Sequence, residues 1–263
     1  MIYGKLPVIL LNALATEKEG STNQSIAKYI LAHREELQQT DIRELAEKTH
    51  VSISSISRFA RELGFHDFQE LRELLAQEPG VPEILPGQFA ALPGAYYAAV
   101  AGELEEVKNR ISMQKVREIC RMIHAYESVS VYGLFKGETA AMNLVSDLAL
   151  LGKPAQTFVA YKEQVESFKT MGKDELLILF SYSGSYFDYE YLALPAYFRK
   201  PKIVMITGGK EPHDAYIDYY LHFPTSDSLL GHPYSMLFLA GLIAQTYGKM
   251  YAGGAAGDPS DKE

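Results

Sequence analysis

Between positions 52 and 63, serines and arginines alternate with apolar residues. Ile56, Phe59 and Leu63 recur at the spacing of one apolar helix face, which leaves the serines and arginines on the opposite face. Short hydroxyl side chains let a helix lie close to a groove, and arginine donates bidentately to guanine edges or to phosphate oxygens. With a lysine from the preceding segment, the residues that we predict to contact DNA are Lys48, Ser52, Ser54, Ser55, Ser57, Arg58 and Arg61.

Two short helices joined by a tight turn are needed to present this face. Asp41, followed by Glu44 three residues later, predicts the start of the first helix. His50 and Val51 leave room only for a tight turn, and Ser52 can cap the second helix. A helix, a tight turn and a second helix form the helix-turn-helix motif, whose second helix enters the major groove of DNA.

The charge of this segment leaves a second interpretation open. From Ser21 to Glu78 there are seven basic and ten acidic residues, a net charge of −3, whereas DNA-binding domains normally carry a basic surface. A helical bundle that only contacts other proteins is therefore the alternative. The net charge does not show how charges are distributed over the surface, however. Lys48, Arg58 and Arg61 can cluster on one face while the acidic residues lie on others. We favour DNA binding through few phosphate contacts, with a shallow salt dependence.

The segment IRELAEKTHVSISSISRFARELGFHDFQELRELL, from Ile42 to Leu75, closely resembles the helix-turn-helix domain of RpiR-type bacterial transcription regulators. In that family the run reads roughly I-x-x-LA-x-x-x-x-VS-x-x-T-I-x-RF-x-x-x-LGF-x-x-F-x-x-L. Ser55 stands where threonine is common, which keeps the hydroxyl. The resemblance implies a DNA-reading helix at Ser52–Leu63 and a homodimer or homotetramer on a two-fold operator. The matching residues are Leu45, Ala46, Val51, Ser52, Ile56, Arg58, Phe59, Leu63, Gly64, Phe65, Phe68 and Leu71.

A stretch rich in proline and glycine divides the chain into two domains. Residues 78–94 hold four prolines and three glycines, which predicts a linker. We expect an all-α helix-turn-helix domain at 1–77, an α/β domain at 95–252 and a disordered tail at 253–263. After a long helical stretch over 96–126, short apolar runs alternate with helical segments. This alternation predicts a three-layer, flavodoxin-like α/β sandwich with a parallel sheet. The predicted strands are Val129–Tyr132, Ala155–Val159, Leu176–Phe180, Ile203–Ile206 and Tyr219–Phe223.

Two loops of the second domain carry small and hydroxyl residues between a strand end and a helix start. One begins after Tyr132 and the other after Phe180. Backbone amides at a helix N-terminus bind anions, and ligands of open α/β sheets lie beyond the carboxyl ends of the strands. Two such loops on neighbouring strands would form one phosphate-sized pocket. The predicted ligand-binding residues are Gly133, Lys136, Gly137, Thr139, Ser181, Ser183, Gly184, Ser185 and Tyr186.

Both loops resemble those of the sugar isomerase (SIS) domain, which usually accompanies the RpiR-type helix-turn-helix and binds phosphosugars through serine and threonine hydroxyls. The resemblance spans roughly Tyr96–Tyr251. Phe135 and Gly137 replace a glycine and a serine of the first loop pattern, and Tyr186 replaces the threonine of the second. Lys136 could supply a positive charge, and the phenol of Tyr186 could replace a lost hydroxyl. A phosphosugar ligand, which we favour, another small ligand, and a fold kept only as a dimerisation scaffold all stay open.

A phosphosugar isomerase or lyase with an accessory helical domain is the alternative function. Such an enzyme needs a base near the sugar carbonyl. The candidate bases, none of which lies in a recognised motif, are Glu163, Glu166, His213 and His232. No Walker loop, dinucleotide fingerprint or metal-ligand spacing occurs in the sequence, so we expect no cofactor, no metal and no enzymatic activity. Cys120 lies beside isoleucines on a predicted helix, which predicts a buried, inert thiol.

The composition is that of an ordinary globular protein and excludes several classes. The 263 residues are 47% hydrophobic and 22% charged, so the chain can bury a core without disulfides. The net charge of −8 excludes a sequence-blind polyanion binder. The apolar run Leu6–Ala15 is too short to span a membrane, and we interpret it as an amphipathic helix, not a signal peptide. A lone cysteine fits a reducing cytoplasm, so we expect a cytoplasmic regulator without membrane contact.

Overall fold

The computed structural model describes residues 10–11, 13–15, 17–37, 39–63, 65–77, 85–184, 186–189, 194, 198–208, 216–225 and 230–252. Within these residues, a helical N-terminal region precedes a domain in which helices pack on a parallel sheet. The predicted combination of an all-α region and an α/β domain is therefore confirmed. Ser185, His213, the first part of the predicted linker and the predicted tail lie outside the described residues.

Short helices form the N-terminal region and share one apolar core. They are α1 Thr22–Ala32, α2 Arg34–Leu37, α3 Ile42–Lys48, α4 Ile53–Glu62 and α5 Phe68–Gln77. Ile26 of α1 and Leu45 of α3 are fully buried in this core. Ile56 and Phe59 of α4 are 0% and 1% exposed, so one side of α4 packs against its neighbours and the other side does not.

Side chains cap both helices of the predicted motif. Asp41 Oδ1 accepts hydrogen bonds from the amides of Glu44 and Arg43, each at 2.8 Å. These bonds, that from Glu44 above all, lower the pKa of Asp41. Ser52 Oγ accepts a hydrogen bond from the amide of Ser55 at 3.1 Å. Both caps satisfy amides that have no partner inside the helix, and the two predicted helix starts are confirmed.

A tight turn at His50 and Val51 joins α3 to α4. His50 has a φ of 54°, in the left-handed region that residues with side chains rarely adopt. The amide of Val51 donates to the carbonyl of Ala46 at 2.9 Å, and the Val51 side chain packs against the apolar core. One left-handed residue thus reverses the chain within a few positions, which the helix-turn-helix arrangement requires.

The long helix expected over 96–126 is two helices. They are α6 Leu92–Arg110 and α7 Met113–Ala125. Ile111 adopts an extended backbone, with φ −69° and ψ 135°. Ser112 then restarts the helix, because its Oγ accepts a hydrogen bond from the amide of Lys115 at 3.3 Å. The single-helix prediction is wrong, since the serine offers the backbone an alternative to helix continuation. The last three residues of the predicted linker, 92–94, already belong to α6.

Four parallel strands form the sheet in the described part of the chain, in the order β1-β2-β3-β4. They are β1 Ser128–Gly133, β2 Glu175–Phe180, β3 Lys202–Thr207 and β4 Tyr219–His222. Four of the predicted strands are therefore confirmed to within one residue at each end. Gly133 at the end of β1 pairs with Phe180 at the end of β2. The loops that follow these two strands consequently begin side by side at the carboxyl edge of the sheet.

The prediction of a strand over 155–159 is wrong. Only Gln156 pairs there, through one parallel bridge to Ser130 of β1. Further along, the carbonyl of Phe158 accepts a hydrogen bond from Gln164 Nε2 at 2.6 Å. That backbone group is therefore bonded to a side chain instead of a strand, and the pairing ends after one residue.

Helices cover both faces of the sheet, as the three-layer prediction requires. They are α7 together with α8 Lys136–Leu150, α9 Tyr161–Thr170 and α10 His232–Tyr247, and a π-helical turn, Gly248–Ala252, follows α10. Val131 and Ile178 face one side of the sheet and share a core with α7, α8 and α10. Tyr132 and Leu179 face the other side and share a second core with Phe168 of α9. This alternation explains the continuous apolar runs in the strands.

Two glycines let the start of α8 lie against the sheet. A Cβ at Gly133 would lie 2.4 Å from the carbonyl carbon of Gly137. A Cβ at Gly137 would lie 2.4 Å from the carbonyl oxygen of Phe180. Both distances are shorter than real contacts of a Cβ, so any other residue would push the backbones apart. The absence of a side chain at these positions is therefore a packing requirement.

Replacing Gly137 by alanine should destabilise the protein, because the new methyl group overlaps a backbone oxygen that has little freedom to move. We expect a loss of about 1–3 kcal/mol in the free energy of unfolding, measured by urea denaturation. Gly102→Ala is the matched control, since Gly102 lies within α6 and a Cβ there meets nothing within 4 Å. That control should stabilise by about 0.5–1 kcal/mol. Equal effects of the two substitutions would contradict the close packing of α8 on β2.

Candidate functional sites

The serine and arginine side of α4 faces solvent. The side chain of Arg58 is 62% exposed, whereas Phe59 beside it in the chain is 1% exposed. The predicted contact residues of this segment that are exposed or partly exposed are Ser52, Ser54, Ser55, Ser57, Arg58 and Arg61. The structure thus brings these six residues onto one accessible face, where they remain predicted contacts to DNA.

The polar groups of this face already have partners within the domain. Arg58 Nε lies 3.7 Å from Glu62 Oε1, and Arg61 Nε donates to the carbonyl of Ser57 at 3.1 Å. The hydroxyl of Ser52 lies 2.8 Å from that of Ser54. Exposed ion pairs and hydrogen bonds of this kind are weak, so both guanidinium groups can turn to another acceptor at small cost.

Lys48 differs from the other predicted contact residues because its ammonium group lies near two carboxylates. Its Nζ lies 2.9 Å from Glu44 Oε1 and 3.7 Å from Glu36 Oε2. The hydrogen bond to Glu44 raises the pKa of Lys48. A phosphate would have to compete with two carboxylates for this ammonium group. Lys48 is therefore a weaker candidate for a DNA contact than Arg58 or Arg61.

A groove of about 570 Å³ lies beside the turn that joins α3 to α4. Its lining residues are Arg43, Ala46, Glu47, His50, Val51, Ser52 and Ile53. Sequence reasoning missed Arg43, His50 and Ile53 as candidate contact residues. A helical projection that starts at the cap could have found Ile53, because it lies one and two turns before Ser57 and Arg61 on the same side of α4.

The loop after β1 has a positive φ at Phe135, a backbone conformation that usually requires glycine. Phe135 has φ 51° and ψ −102°, so a bulky residue occupies a left-handed conformation directly before α8. The amide of Gly137 donates to the carbonyl of Leu134 at 2.9 Å, and Thr139 Oγ1 donates to the carbonyl of Phe135 at 3.1 Å. Two of the groups predicted to bind a ligand therefore already have hydrogen-bond partners inside the loop.

Tyr186 does not replace the lost threonine hydroxyl, which corrects the expectation that its phenol bonds the ligand. The side chain is 3% exposed, and its hydroxyl donates to Gln164 Oε1 at 2.6 Å. Gln164 is itself fully buried, and its Nε2 donates to the carbonyls of Phe158 at 2.6 Å and Gly133 at 2.9 Å. Burial raises the pKa of Tyr186 well above its usual value. The phenol is thus part of the packed interior, and no sequence signal singled out Gln164.

The remaining predicted ligand residues line the ends of the two loops. Lys136, Ser181 and Ser183 are partly exposed. Gly184 is buried with φ 78°, and its amide donates to the carbonyl of Ser181 at 3.1 Å. Glu138 lies in the first turn of α8, where burial raises the pKa of its carboxyl group. The two loops therefore contain an ammonium group and two hydroxyls, and Glu138 adds to the first turn of α8 a carboxylate that disfavours a bound anion.

The described candidate bases of the enzymatic alternative lie on two different helices, α9 and α10. Glu163 and Glu166 are exposed on α9, and Glu166 Oε1 lies 3.0 Å from Lys169 Nζ. His232 is the first residue of α10. Neither glutamate is buried, as a carboxylate tuned to act as a general base usually is.

Other reactive groups have a structural explanation. Cys120 is fully buried, and burial raises the pKa of its thiol to about 12, so the prediction of an inert thiol is confirmed. Among the described residues, no group of three or more His, Cys, Asp or Glu side chains is arranged to hold a metal ion. No described helix combines the length and the apolar character needed to cross a membrane.

Comparison with known proteins supports the N-terminal assignment. Residues 10–80 match the model of the helix-turn-helix domain of the rpiR family. The chain is 28% identical over 163 residues to the HTH-type transcriptional regulator GlvR of Bacillus subtilis, an alignment that covers 60% of this chain and 60% of GlvR. The chain thus spans less than two thirds of the length of this curated relative.

Solved structures support the fold of the whole chain. The NanR protein of Vibrio vulnificus, solved with ManNAc-6P, superposes with a TM-score of 0.54 at 18% identity, covering 94% of this chain and 92% of NanR. A Listeria monocytogenes protein provisionally assigned as a sugar-phosphate isomerase superposes with a TM-score of 0.51 at 14% identity, covering 63% of this chain and 93% of that protein. At these identities the likeness concerns the fold alone. Residues 10–80 therefore match the helix-turn-helix domain of the rpiR family, and the chain as a whole shares its fold with NanR.

Proposed function

We propose that this protein is a cytoplasmic transcriptional regulator that binds a DNA operator through α4. The single observation that carries the proposal is the exposed serine and arginine face of α4 within an rpiR-family domain. Ile56 and Phe59 bury the opposite side, so the face is held outward by packing. The similarity to GlvR, a transcriptional regulator, supports the same function.

Replacing Arg58 by alanine should weaken operator binding by about 1–3 kcal/mol without unfolding the domain, because the side chain is 62% exposed and its ion pair with Glu62 is an exposed one. The probe is a duplex enriched by the wild-type protein from a random-sequence library, with affinity measured by fluorescence anisotropy. Arg110→Ala is the matched control, since Arg110 Nη1 also lies 3.7 Å from a glutamate one turn away and its side chain is 68% exposed.

Comparing Arg58→Ala with Phe59→Ala distinguishes the loss of a DNA contact from a loss of folding stability. Phe59→Ala should cost about 3–5 kcal/mol of stability, because it empties a buried site. Arg58→Ala should leave the denaturation midpoint unchanged. Equal losses of stability, or equal effects of Arg58→Ala and Arg110→Ala on the duplex, would show that this side of α4 does not contact DNA.

We propose that the second domain senses a phosphorylated sugar or a related metabolite. The support is the sugar-isomerase-like fold, the ammonium group of Lys136 and the hydroxyls of Ser181 and Ser183 at the loop ends. The structural neighbour NanR was solved with a phosphosugar. Ligand binding would change operator affinity through a coupling of about 1–3 kcal/mol.

A panel of sugar phosphates should contain at least one compound that raises the thermal midpoint and changes affinity for the selected duplex. The dephosphorylated sugar is the control ligand. Glu138→Gln should tighten binding of the phosphorylated compound severalfold, because it removes a carboxylate from the first turn of α8. If no compound moves either quantity, the domain is a scaffold without an effector.

We propose that the protein is a binding protein and not an isomerase. The support is that the candidate bases Glu163 and Glu166 are exposed on α9, whereas a carboxylate tuned to act as a general base is usually buried. In addition, Gly137 stands where the family carries a phosphate-binding serine, and a Cβ there would overlap the carbonyl oxygen of Phe180.

We propose a homodimer that uses the exposed start of α6. Phe89 and Tyr97 are 93% and 74% exposed, and Leu92 and Tyr96 are 41% and 37% exposed. Exposed apolar side chains that lie close together on a surface are typical of protein interfaces. A dimer would match the two-fold symmetry of an operator.

Tyr97→Asp should shift the protein from dimer to monomer in sedimentation velocity, because it places a charge inside the proposed interface. Val159→Asp is the control, since Val159 is also exposed, at 53%, but lies between α8 and α9. A wild-type monomer, or a dimer that survives Tyr97→Asp, would contradict this interface.

A further inference from the structure

Ile53 is an apolar residue at the start of α4, and its side chain is not part of the apolar core. It is the first residue of α4, and 45% of its surface is exposed. Val51, two residues earlier, packs against the apolar core of the domain, whereas Ile53 belongs neither to that core nor to its partly buried rim. Ile53 therefore keeps nearly half of its surface available for contact with another molecule.

The position of Ile53 puts it on the proposed contact face. Ile53, Ser57 and Arg61 follow one another at intervals of four residues, so they form one row along α4. Ser52, Ser54 and Ser57 around it are short, which makes Ile53 the longest uncharged side chain at this end of the helix. In a helix-turn-helix, the N-terminal residues of the second helix contact the base edges.

The groove beside the turn leaves Ile53 accessible from the same side. Ile53 lines this groove together with Val51 and His50. An isoleucine cannot donate or accept a hydrogen bond, so it contributes to base recognition only through apolar contact. In the major groove, thymine is the base that presents an apolar group, its 5-methyl.

We propose that Ile53 is a specificity-determining residue that packs against the 5-methyl group of a thymine in each half-site of the operator. This inference rests on the proposed DNA-binding function. It adds a chemical class of contact, apolar recognition of thymine, to the hydrogen-bonding contacts expected of the arginines. Burial of one methyl group on binding accounts for about a fourfold preference for thymine over uracil in each half-site.

The test removes the methyl group from the DNA and the side chain from the protein in turn. Duplexes are first enriched by the full-length wild-type protein from a random-sequence library. Each thymine of the resulting consensus is then replaced by deoxyuridine, which keeps every hydrogen-bonding group. We expect one thymine position per half-site at which this change weakens wild-type binding by about fourfold, or about 15-fold when both half-sites are changed.

Ile53→Ala should bind the thymine and deoxyuridine duplexes equally, and Ile53→Val should keep part of the difference. Met113→Ala is the matched control: Met113 is also the first residue of a helix, also follows a serine cap and is 38% exposed, but lies on α7. This control should keep the full thymine preference. Circular dichroism should show that none of the three variants alters folding, because neither side chain is buried.

Three results would overturn the inference while leaving DNA binding intact. They are a consensus without thymine in its half-sites, equal wild-type binding of thymine and deoxyuridine at every position, and an Ile53→Ala variant that keeps the wild-type preference. Failure to enrich any duplex would instead contradict the proposed function and, with it, this contact.

Discussion

Burial of Ile56 and Phe59 on one side of α4 is the constraint on which the proposed function depends. A helix has a fixed rotation per residue, so anchoring these two side chains in the core determines where every other residue of α4 points. The cap at Ser52 and the left-handed His50 fix where the helix begins and how it leaves the turn. The outward face is therefore a consequence of packing, and its chemistry follows from which residues lie there.

The basic side chains of this face are paired with nearby glutamates, so their charges are partly neutralised within the domain. Glu44 and Glu36 hold Lys48, and Glu62 lies near Arg58, in a segment whose net charge is −3. Exposed ion pairs of this kind are weak, so a phosphate can displace them at a small free-energy cost. The same pairs reduce the attraction for arbitrary DNA. Recognition by such a domain relies more on base edges and less on long-range attraction than recognition by a strongly basic one.

The second domain has close backbone packing at the start of α8, although the residues of its two loops differ from the SIS patterns. Gly133 and Gly137 still bring the start of α8 against β2, and Phe135 holds a bend that normally suits glycine. The hydroxyl that Tyr186 could have supplied is instead bonded to Gln164 in the interior. Fewer groups remain for an anion, and Glu138 opposes it. The effector that we propose for this domain would have fewer polar contacts than the SIS loop patterns provide.

Local pattern alone determined the helix-turn-helix, its caps, the exposed face of α4 and four of the strands, because periodicity and capping depend on residues within a few positions of one another. The serine cap that splits α6 from α7 was a local signal as well, although a continuous apolar pattern obscured it. The tertiary structure decided the rest. Tyr186 and Gln164 are 22 positions apart, and Gly137 meets a carbonyl on a different strand. Such contacts exist only after the sheet has formed, so no spacing along the chain could reveal them.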